Sequence, residues 1–407
     1  MPMSVSKGAL NGIRVLDLGR YQAGPRAALV MARLGAEVIK VEGPGGDESR
    51  RHGPFVRGQS VYWVQYNSGK KSLGLNLRTE KGKEILRELV KVSDILIQNF
   101  RPGTIDKMGF SYENLKALNK GIIMVNVSAY GQYGPYKDRI GFDPIGQAIS
   151  GMMMLNGFPG MPPIRTHNPV IDRITSLHAT IGALAALHER QLSGEGQCVD
   201  VCLADTGFTM TEIQCSAYLG AEIVTERNGN GSGTSNVYKA KDGWVLLSAQ
   251  SDNIWPRFCD AIGAPEWAID PRFSTGDGRD ENSQAIEERL EEWFAQRSVA
   301  EAVGIIADAG IPCNAVNEIP AAAQEPQLHE RELLVEVADP VAGNIYVSGK
   351  NIKLSRSEVV VGSAPVPGQH TRGILSSLLN FGDAQVSALE SEGVLYTGEV
   401  KEEAAAD

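Results

Sequence analysis

The chain has 407 residues and a formal net charge of −10, with 42% apolar and 22% charged residues. This composition is typical of a globular protein, and the length exceeds what one compact core usually holds, so we expect two domains. An acidic chain is a poor non-specific partner for nucleic acid or for an anionic membrane, so we expect neither as a partner.

The sequence shows no targeting or metal-binding signal. Residues 1–8 contain no apolar segment, which predicts no signal peptide, and the apolar runs are far shorter than a membrane span. Of the five cysteines, Cys198 and Cys202 lie four apart, but the others supply no second pair with a nearby histidine. This spacing predicts no metal site, and free thiols fit a reducing compartment, so we expect a cytoplasmic protein.

The N-terminal third alternates short β-rich runs with amphipathic helices. We predict strands over residues 13–18, 37–41, 73–75, 95–97 and 122–127, and helices over residues 26–34 and 79–92. This alternation is typical of an α/β protein with a parallel sheet covered by helices on both sides.

The remaining elements suggest a second unit in the C-terminal half. A long helix over 176–191 leads to a strand over 199–203, and a Gly/Asn-rich stretch at 228–233 is typical of a linker or a ligand loop. We then predict two strands within 237–249, helices over 255–262, 284–296, 371–379 and 384–392, and a disordered tail at 401–407.

The turn after the first strand tests a dinucleotide-binding interpretation. Glu42 follows the second strand, where such folds place a ribose-binding acid. The turn at 19–25, however, lacks the second glycine of the fingerprint that lets backbone approach a pyrophosphate. An NAD-dependent dehydrogenase is therefore disfavoured.

Two loops carry residues suited to phosphate. Lys70 and Lys71 stand beside small residues just before a strand, and are either phosphate ligands or a solvated basic turn. Asn99, Phe100 and Arg101 follow the strand at 95–97, and the carboxyl ends of parallel strands are where open α/β sheets bind ligands. These three could hold a base and a phosphate, or form a plain loop.

Asp172 lies just before the long helix predicted from Ser176. Its commonest role there is to cap the helix. The positive end of the helix would also keep the carboxylate ionised, and an ionised carboxylate in a closed pocket is a competent nucleophile. The residues themselves leave both roles open.

Motifs along nearly the whole chain occur in the order of a known family. They lie at 10–17, 22–25, 34–42, 99–103, 108–109, 141–143, 147–151, 172, 185–187, 194–197, 270–273, 310–312 and 368–371. Together they resemble the class III CoA-transferases, the family of formyl-CoA:oxalate and carnitine CoA-transferases.

The resemblance implies a particular architecture. It predicts a large Rossmann-like domain built from both chain ends, residues 1–224 and 328–407. A small α+β domain at 225–327 is inserted between them. Two such subunits are interlocked like rings, as a homodimer or as a heteromer with a paralogous subunit.

The resemblance also implies a mechanism. The residue at the Asp172 position attacks an acyl-CoA thioester and later carries CoA as an aspartyl-CoA thioester, while Gln22 lies beside the reacting carbonyl. Coenzyme A is thus a substrate, delivered as acyl-CoA, and a carboxylic acid accepts it. The residues assigned to coenzyme A binding are Lys70, Lys71, Asn99, Phe100, Arg101, Lys107 and Arg139.

Some positions depart from the family pattern. Gly43 replaces a basic residue that some members use for the adenosine end, and the glycine-rich loop of the family is matched only approximately at 229–233. Related racemases carry Gly-His-Asp where this chain has Phe142 between Gly141 and Asp143. The alternatives are an acyl-CoA racemase or epimerase, and a non-catalytic paralogous subunit, which the presence of Asp172 argues against.

Substrate identity rests on one apolar stretch. Met152, Met153, Met154, Phe158 and Met161 are adaptable side chains close in sequence to Asp172, and they serve either the substrate or the core. We expect succinyl-CoA as donor and a bulky aromatic or branched acid, such as a benzylsuccinate-like dicarboxylate, as acceptor.

Overall fold

A computed structural model describes residues 8–398 of the chain. The predictions for the first seven residues and for the tail at 401–407 lie outside this part. The strands are β1 Arg14–Asp17, β2 Glu37–Glu42, β3 Phe55–Val56, β4 Gln59–Ser60, β5 Lys71–Leu75, β6 Ile95–Gln98, β7 Ile123–Ser128, β8 Cys198–Cys202, β9 Ser235–Lys239, β10 Trp244–Ser248, β11 Cys313–Ala315, β12 Leu334–Asp339, β13 Gly343–Ser348 and β14 Leu395–Tyr396.

The α-helices connect these strands, with short 3₁₀ helices at Glu48–Arg51 and Pro265–Ala268. They are α1 Ala23–Arg33, α2 Val61–Asn67, α3 Glu80–Lys91, α4 Thr104–Lys107, α5 Tyr112–Leu118, α6 Asp143–Ile149, α7 Met152–Leu155, α8 Val170–Ser193, α9 Leu203–Phe208, α10 Glu212–Ala221, α11 Trp255–Ile262, α12 Gly276–Glu281, α13 Ser283–Ala295, α14 Val299–Asp308, α15 Ile319–Ala323, α16 Pro326–Glu330, α17 Thr371–Leu379 and α18 Asp383–Ser391.

A central sheet organises the larger part of the molecule. Its strand order is β14-β5-β2-β1-β6-β7-β8, and β14 is antiparallel to β5 while the other neighbours are parallel. Strands such as β6 and β7 are buried along their whole length, as expected for a sheet covered on both faces. The predicted α/β class with a mainly parallel sheet is confirmed.

The order of the strands creates a switch point. From β1 the chain builds outward through β2 and β5, then returns to add β6 on the other side of β1, followed by β7 and β8. The loops after β1 and β6 therefore diverge from neighbouring strand ends. Open α/β sheets bind their ligands in the crevice that such a divergence leaves.

Helix α8 packs along α1 on one face of this sheet. Its contact face repeats every three or four residues and is made of small side chains, including Ala179, Ala183 and Ala186. We expected only short apolar runs, but α8 has 24 residues and is apolar enough to cross a membrane by length and composition alone. One face of the helix packs in this core, and 44% of the apolar window is buried.

The start of α8 corrects the sequence prediction. The helix begins at Val170, after Pro169 at the N-cap, and not near Ser176. The first two turns hold Ile171 and Thr175, both buried at helical spacing, but β-branched residues in short sequence windows weaken the helical signal. Asp172 therefore lies inside the first turn.

The described residues form two compact units. The first comprises residues 8–152, 165–215 and 327–398, and the second comprises residues 153–164 and 216–326. The second unit holds an antiparallel sheet, β11-β10-β9, whose β9–β10 hairpin confirms the predicted pair of strands. Its own core contains Trp255, Phe258, Trp293 and Phe294.

Candidate active site

A cavity of about 430 Å³ opens at the carboxyl ends of β1, β6, β7 and β8. The loops that follow these strands supply much of its wall, and the first turn of α8 adds Asp172. This is the switch point of the sheet, where a ligand site is expected. The residues at the strand ends are Arg20, Tyr21 and Gln22 after β1, Asn99, Phe100 and Arg101 after β6, Ala129 after β7 and Leu203 after β8.

Asn99 joins the two loops at the switch point. Its side-chain oxygen accepts from the backbone N–H of Arg20 at 2.7 Å, and its Nδ2 donates to the Arg20 carbonyl at 2.8 Å. This paired bond holds the loop in which Tyr21 adopts a left-handed backbone with φ of 60°. Asn99, assigned to coenzyme A from the sequence, thus also shapes the wall of the cavity.

Asp172 and Gln22 meet at the cavity although they are 150 residues apart in the chain. Asp172 is half-buried, and it does not cap α8, because Pro169 occupies the N-cap without a side-chain bond. Gln22 is buried, and its Nε2 donates to the Pro169 carbonyl at 3.4 Å. The amide of Gln22 therefore lies next to the turn that carries Asp172.

The electrostatic environment of Asp172 differs from our expectation. We expected the helix end to keep the carboxylate ionised, but burial, followed by the charge of Asp143, raises the pKa of Asp172 to about 7. Removal from water is the larger of the two causes, and it outweighs the favourable helix end. A carboxylate poised near neutral pH is typical of a catalytic group.

Asp143 is a buried neighbour of Asp172 that was not among the site residues assigned from the sequence. It is 4% exposed, accepts from the backbone N–H of Asp172 at 3.0 Å and accepts from Gln147 Nε2 at 2.5 Å. Gln147 in turn accepts from the backbone N–H of Thr166 at 2.9 Å. Both Asp143 and Gln147 belong to the motifs that resemble the family. That resemblance was the signal in the sequence that could have identified them.

Three guanidinium groups give the cavity a positive wall within an acidic chain: Arg20, Arg101 and Arg139. Arg20 lies over the Phe100 ring at 5.4 Å and forms a long, exposed ion pair with Glu48 at 3.6 Å. Arg139 stacks on Tyr136 at 3.7 Å. Planar guanidinium groups of this kind suit phosphate and carboxylate ligands.

The three lysines assigned from the sequence do not line this cavity. Lys70 is buried, and its Nζ donates to Asp17 at 2.7 Å and to the Pro25 carbonyl at 2.8 Å. Lys71 pairs with Glu37 at the amino end of the sheet, at 2.5 Å, and Lys107 is exposed at the end of α4. The structure thus brings together Asp172, Gln22, Asn99, Phe100, Arg101 and Arg139.

Phe142 stands where the racemase alternative would require a histidine. Its ring is 61% exposed, lines the cavity and meets Tyr21 edge-on at 6.0 Å. Phenylalanine cannot carry a proton, so it adds an apolar surface to the site.

Within the second unit, the methionine-rich stretch meets the glycine-rich loop. Arg227 donates to the carbonyls of Met161 at 2.7 Å and Pro162 at 2.9 Å. The Phe158 ring lies so close to Gly229 that an added Cβ would come within 2.5 Å of it. The methionine-rich stretch and the glycine-rich loop, which the sequence showed as separate segments, therefore contact each other.

Metal-binding side chains are not grouped in the described part of the chain. Among residues 8–398, no three or more histidine, cysteine, aspartate or glutamate side chains are placed to hold an ion.

Comparison with known proteins covers most of the chain. A family model described as CoA-transferase family III matches residues 10–371. The succinyl-CoA–D-citramalate CoA-transferase of Chloroflexus aurantiacus is 35% identical over 393 residues, which are 95% of this chain and 98% of the relative. A formyl-CoA:oxalate CoA-transferase of Streptomyces avermitilis is 33% identical, covering 95% and 99%. The succinyl-CoA:glutarate CoA-transferase of Mus musculus is 32% identical, covering 96% and 91%.

Solved structures share the architecture. A CAIB/BAIF family protein from Brucella suis superposes with a TM-score of 0.82 at 30% identity, covering 92% of this chain and all of that one. A hypothetical protein from Mycobacterium tuberculosis gives a TM-score of 0.81 at 29% identity, covering 91% and all of that chain.

Proposed function

The chain belongs to CoA-transferase family III, as its motifs predicted, and on that premise we propose that it moves CoA from succinyl-CoA to a bulky branched or aromatic carboxylic acid through Asp172. It is an acyl-CoA:carboxylate CoA-transferase, the activity that the names of its relatives carry. The observation that carries the proposed mechanism is the half-buried carboxylate of Asp172 on the wall of a cavity lined by Arg20, Arg101 and Arg139.

The first half-reaction begins with the ionised carboxylate of Asp172. It attacks the thioester carbonyl of the donor, and the C–S bond breaks to give an anhydride and CoA thiolate. The thiolate then attacks the aspartyl carbonyl of that anhydride, which forms aspartyl-CoA and releases the donor acid as a carboxylate. The half-buried position of Asp172 limits the access of water to both acyl intermediates.

The second half-reaction reverses these steps with the acceptor. The acceptor carboxylate attacks aspartyl-CoA, expels the thiolate and forms a second anhydride. The thiolate attacks the acceptor carbonyl of this anhydride, which yields the new acyl-CoA and regenerates the carboxylate of Asp172. We propose that Gln22, which lines the cavity, donates a hydrogen bond from its amide to the oxygen on which charge develops.

Two observations support the choice of substrates. Citramalate, oxalate and glutarate, which the names of the relatives carry, are dicarboxylic acids, and two of those names specify succinyl-CoA. The cavity combines cationic side chains with apolar ones such as Tyr21, Ile140 and Phe142. A benzylsuccinate-like dicarboxylate would place its second carboxylate against a guanidinium group and its apolar part against these apolar side chains.

The family also suggests an assembly and a location. We propose a large Rossmann-like domain formed by residues 1–224 and 328–407, and a small domain formed by residues 225–327. We further propose interlocked subunits, as a homodimer or with a paralogue, and a place in the cytoplasm. Light scattering at micromolar concentration tests the assembly, since an interlocked pair cannot fall apart on dilution, and a monomer would contradict it.

Covalent capture tests the role of Asp172 directly. Incubation with succinyl-CoA and hydroxylamine should convert its side chain to a hydroxamate on the tryptic peptide at 166–173. Asp172→Asn should abolish both the capture and the transfer while leaving CoA binding intact, because an amide cannot form the anhydride. Asp260→Asn, at an exposed aspartate, is the control. Transfer that persists in Asp172→Asn without a modified peptide would rule out the mechanism.

A further inference from the structure

A second, smaller cavity lies away from the candidate active site and shares no wall residue with it. It has a volume of about 70 Å³ and lies between α1, α8 and the segment at 348–359. The wall is largely apolar, with Leu29 and Val30 of α1 and Leu177 of α8, but it includes two arginines of α1, Arg26 and Arg33. No acidic residue of the described chain lines it.

Arg33 is a buried cation whose hydrogen-bond acceptors are all neutral. It is 7% exposed, and its Nη2 donates to Ser68 Oγ at 2.7 Å and to the Ser348 carbonyl at 3.1 Å. Its Nη1 makes longer bonds of 3.4 Å to the carbonyls of Ser68 and Val360. Its Nε has no partner among the described residues. Burial lowers the pKa of Arg33 to about 10, with no acid to offset it.

Arg26 adds a second guanidinium to the same wall. It lies seven residues before Arg33, two helical turns away and on the same face of α1. Its Nε is buried and also lacks a partner among the described residues. Burial is the largest cause that lowers the pKa of Arg26, and nearby Arg173 lowers it further, whereas Tyr66 acts in the opposite direction. The cavity therefore carries positive charge that this part of the chain leaves unbalanced.

The chemistry of a buried guanidinium group indicates which ligand suits this cavity. Buried cations without a counter-charge are costly, and a guanidinium binds a carboxylate through parallel N–H···O bonds. The volume suits a group of a few heavy atoms, because a cavity of about 10–15 Å³ already holds a single water. We propose that this cavity binds a carboxylate group between Arg26 and Arg33.

Two sources can supply that carboxylate. One is a free short-chain acid, whose alkyl part would lie against Leu29, Val30 and Leu177. The other is an acidic side chain of a second copy of this chain. Either would act outside the transfer reaction, so the proposal goes beyond the proposed function and stands independently of it.

Titration of the full chain with ¹³C-labelled acetate, followed by NMR, tests the free-acid source. Arg26→Gln is the informative variant, because Arg33 supports three segments and its loss endangers the fold. We expect saturable binding that weakens by about tenfold or more in Arg26→Gln, the effect of losing a charged hydrogen bond. Arg87→Gln is the matched control, since Arg87 is half-buried but pairs with Glu80.

Two further measurements complete the test. Arg139→Gln, on the wall of the candidate active site, should leave acetate binding unchanged; loss of binding there would place the acid in that site and overturn the proposal. If the second copy supplies the carboxylate, Arg26→Gln should reduce the fraction of the chain that assembles on refolding from urea, as measured by sedimentation, and Arg87→Gln should not. The proposal is wrong if neither acetate binding nor association depends on Arg26.

Discussion

The backbone N–H of Asp172 donates a hydrogen bond to a carboxylate oxygen of Asp143, with an N–O distance of 3.0 Å. The bond fixes the first turn of α8 against α6 and holds two acidic side chains together in a largely desolvated place. Burial and the charge of Asp143 raise the pKa of Asp172 to about 7. The candidate nucleophile is therefore ionised only in part at neutral pH.

Transfer should become faster as the pH rises through about 7, because the ionised form of Asp172 is the nucleophile. Asp143→Asn removes the neighbouring negative charge, so the pKa of Asp172 should fall and the midpoint of the rise should move to lower pH. The pH profile of kcat/KM measures both effects.

The matched control is Gln147→Ala, which removes the hydrogen bond between Gln147 and Asp143 without changing any charge. It should cost about 1–3 kcal/mol of stability and leave the midpoint near its original pH. An equal shift of the midpoint in both variants would show that packing, and not charge, controls Asp172.

Asp172→Asn should stabilise the protein at pH 8. The pKa of Asp172 is higher in the folded chain than in the unfolded chain, so between about pH 4 and pH 7 only the folded chain holds this proton. The contribution of this group to the free energy of unfolding is therefore lost as the pH rises through that window. Removing the carboxylate should raise the free energy of unfolding at pH 8 by roughly 1–3 kcal/mol after solvent screening, with little effect at pH 4. Urea unfolding at both pH values measures this difference, and the exposed Asp260→Asn should show no such gain.

Lys70→Met should destabilise the fold strongly. It removes the ion pair of 2.7 Å to the buried carboxylate of Asp17, which keeps only the longer ion pair of 3.9 Å with Lys40, at a cost of about 3–5 kcal/mol. The neighbouring Lys71→Met breaks a partly exposed pair with Glu37 and should cost about 0–1 kcal/mol. Chemical unfolding measures the free energy of unfolding of both variants. An equal loss in the two would contradict a structural role for Lys70.

Arg101→Gln and Arg139→Gln should each weaken CoA binding, by about tenfold at low salt and by less as salt is raised. Both residues line the cavity, whereas the exposed Lys107 does not. Calorimetric titration with CoA at two salt concentrations measures the affinity of each variant and compares the two arginines with Lys107. A larger loss in Lys107→Gln would place the nucleotide outside the cavity.

Racemisation should be absent, since Phe142 cannot supply the proton that a histidine supplies in the related racemases. Incubation of the protein with a 2-methylacyl-CoA in deuterated water should leave the α-hydrogen in place, as read by mass spectrometry. Incorporation of deuterium at that carbon would favour the racemase alternative.

Local patterns were sufficient for the parallel strands of the central sheet and for several of the longer helices. Alternating β-rich runs and amphipathic helices predicted the parallel sheet, and the two strands predicted within residues 237–249 form the hairpin β9–β10. The start of α8 was wrong because its first turn is held by long-range contacts, such as Asp143 with Asp172, and not by a cap in the local sequence.

The sequence by itself determined the family, the fold class and Asp172 as the candidate nucleophile, because the motifs that carry them are ordered along the chain. Only the tertiary structure decided the surroundings of each charge. Lys70 and Lys71 are adjacent, yet one is buried against Asp17 and the other is half-exposed at the amino end of the sheet. Burial, and then the charge of Asp143 from 29 residues away in the chain, raise the pKa of Asp172. Desolvation and charge coupling depend on distances in space, and spacing along the chain does not encode them.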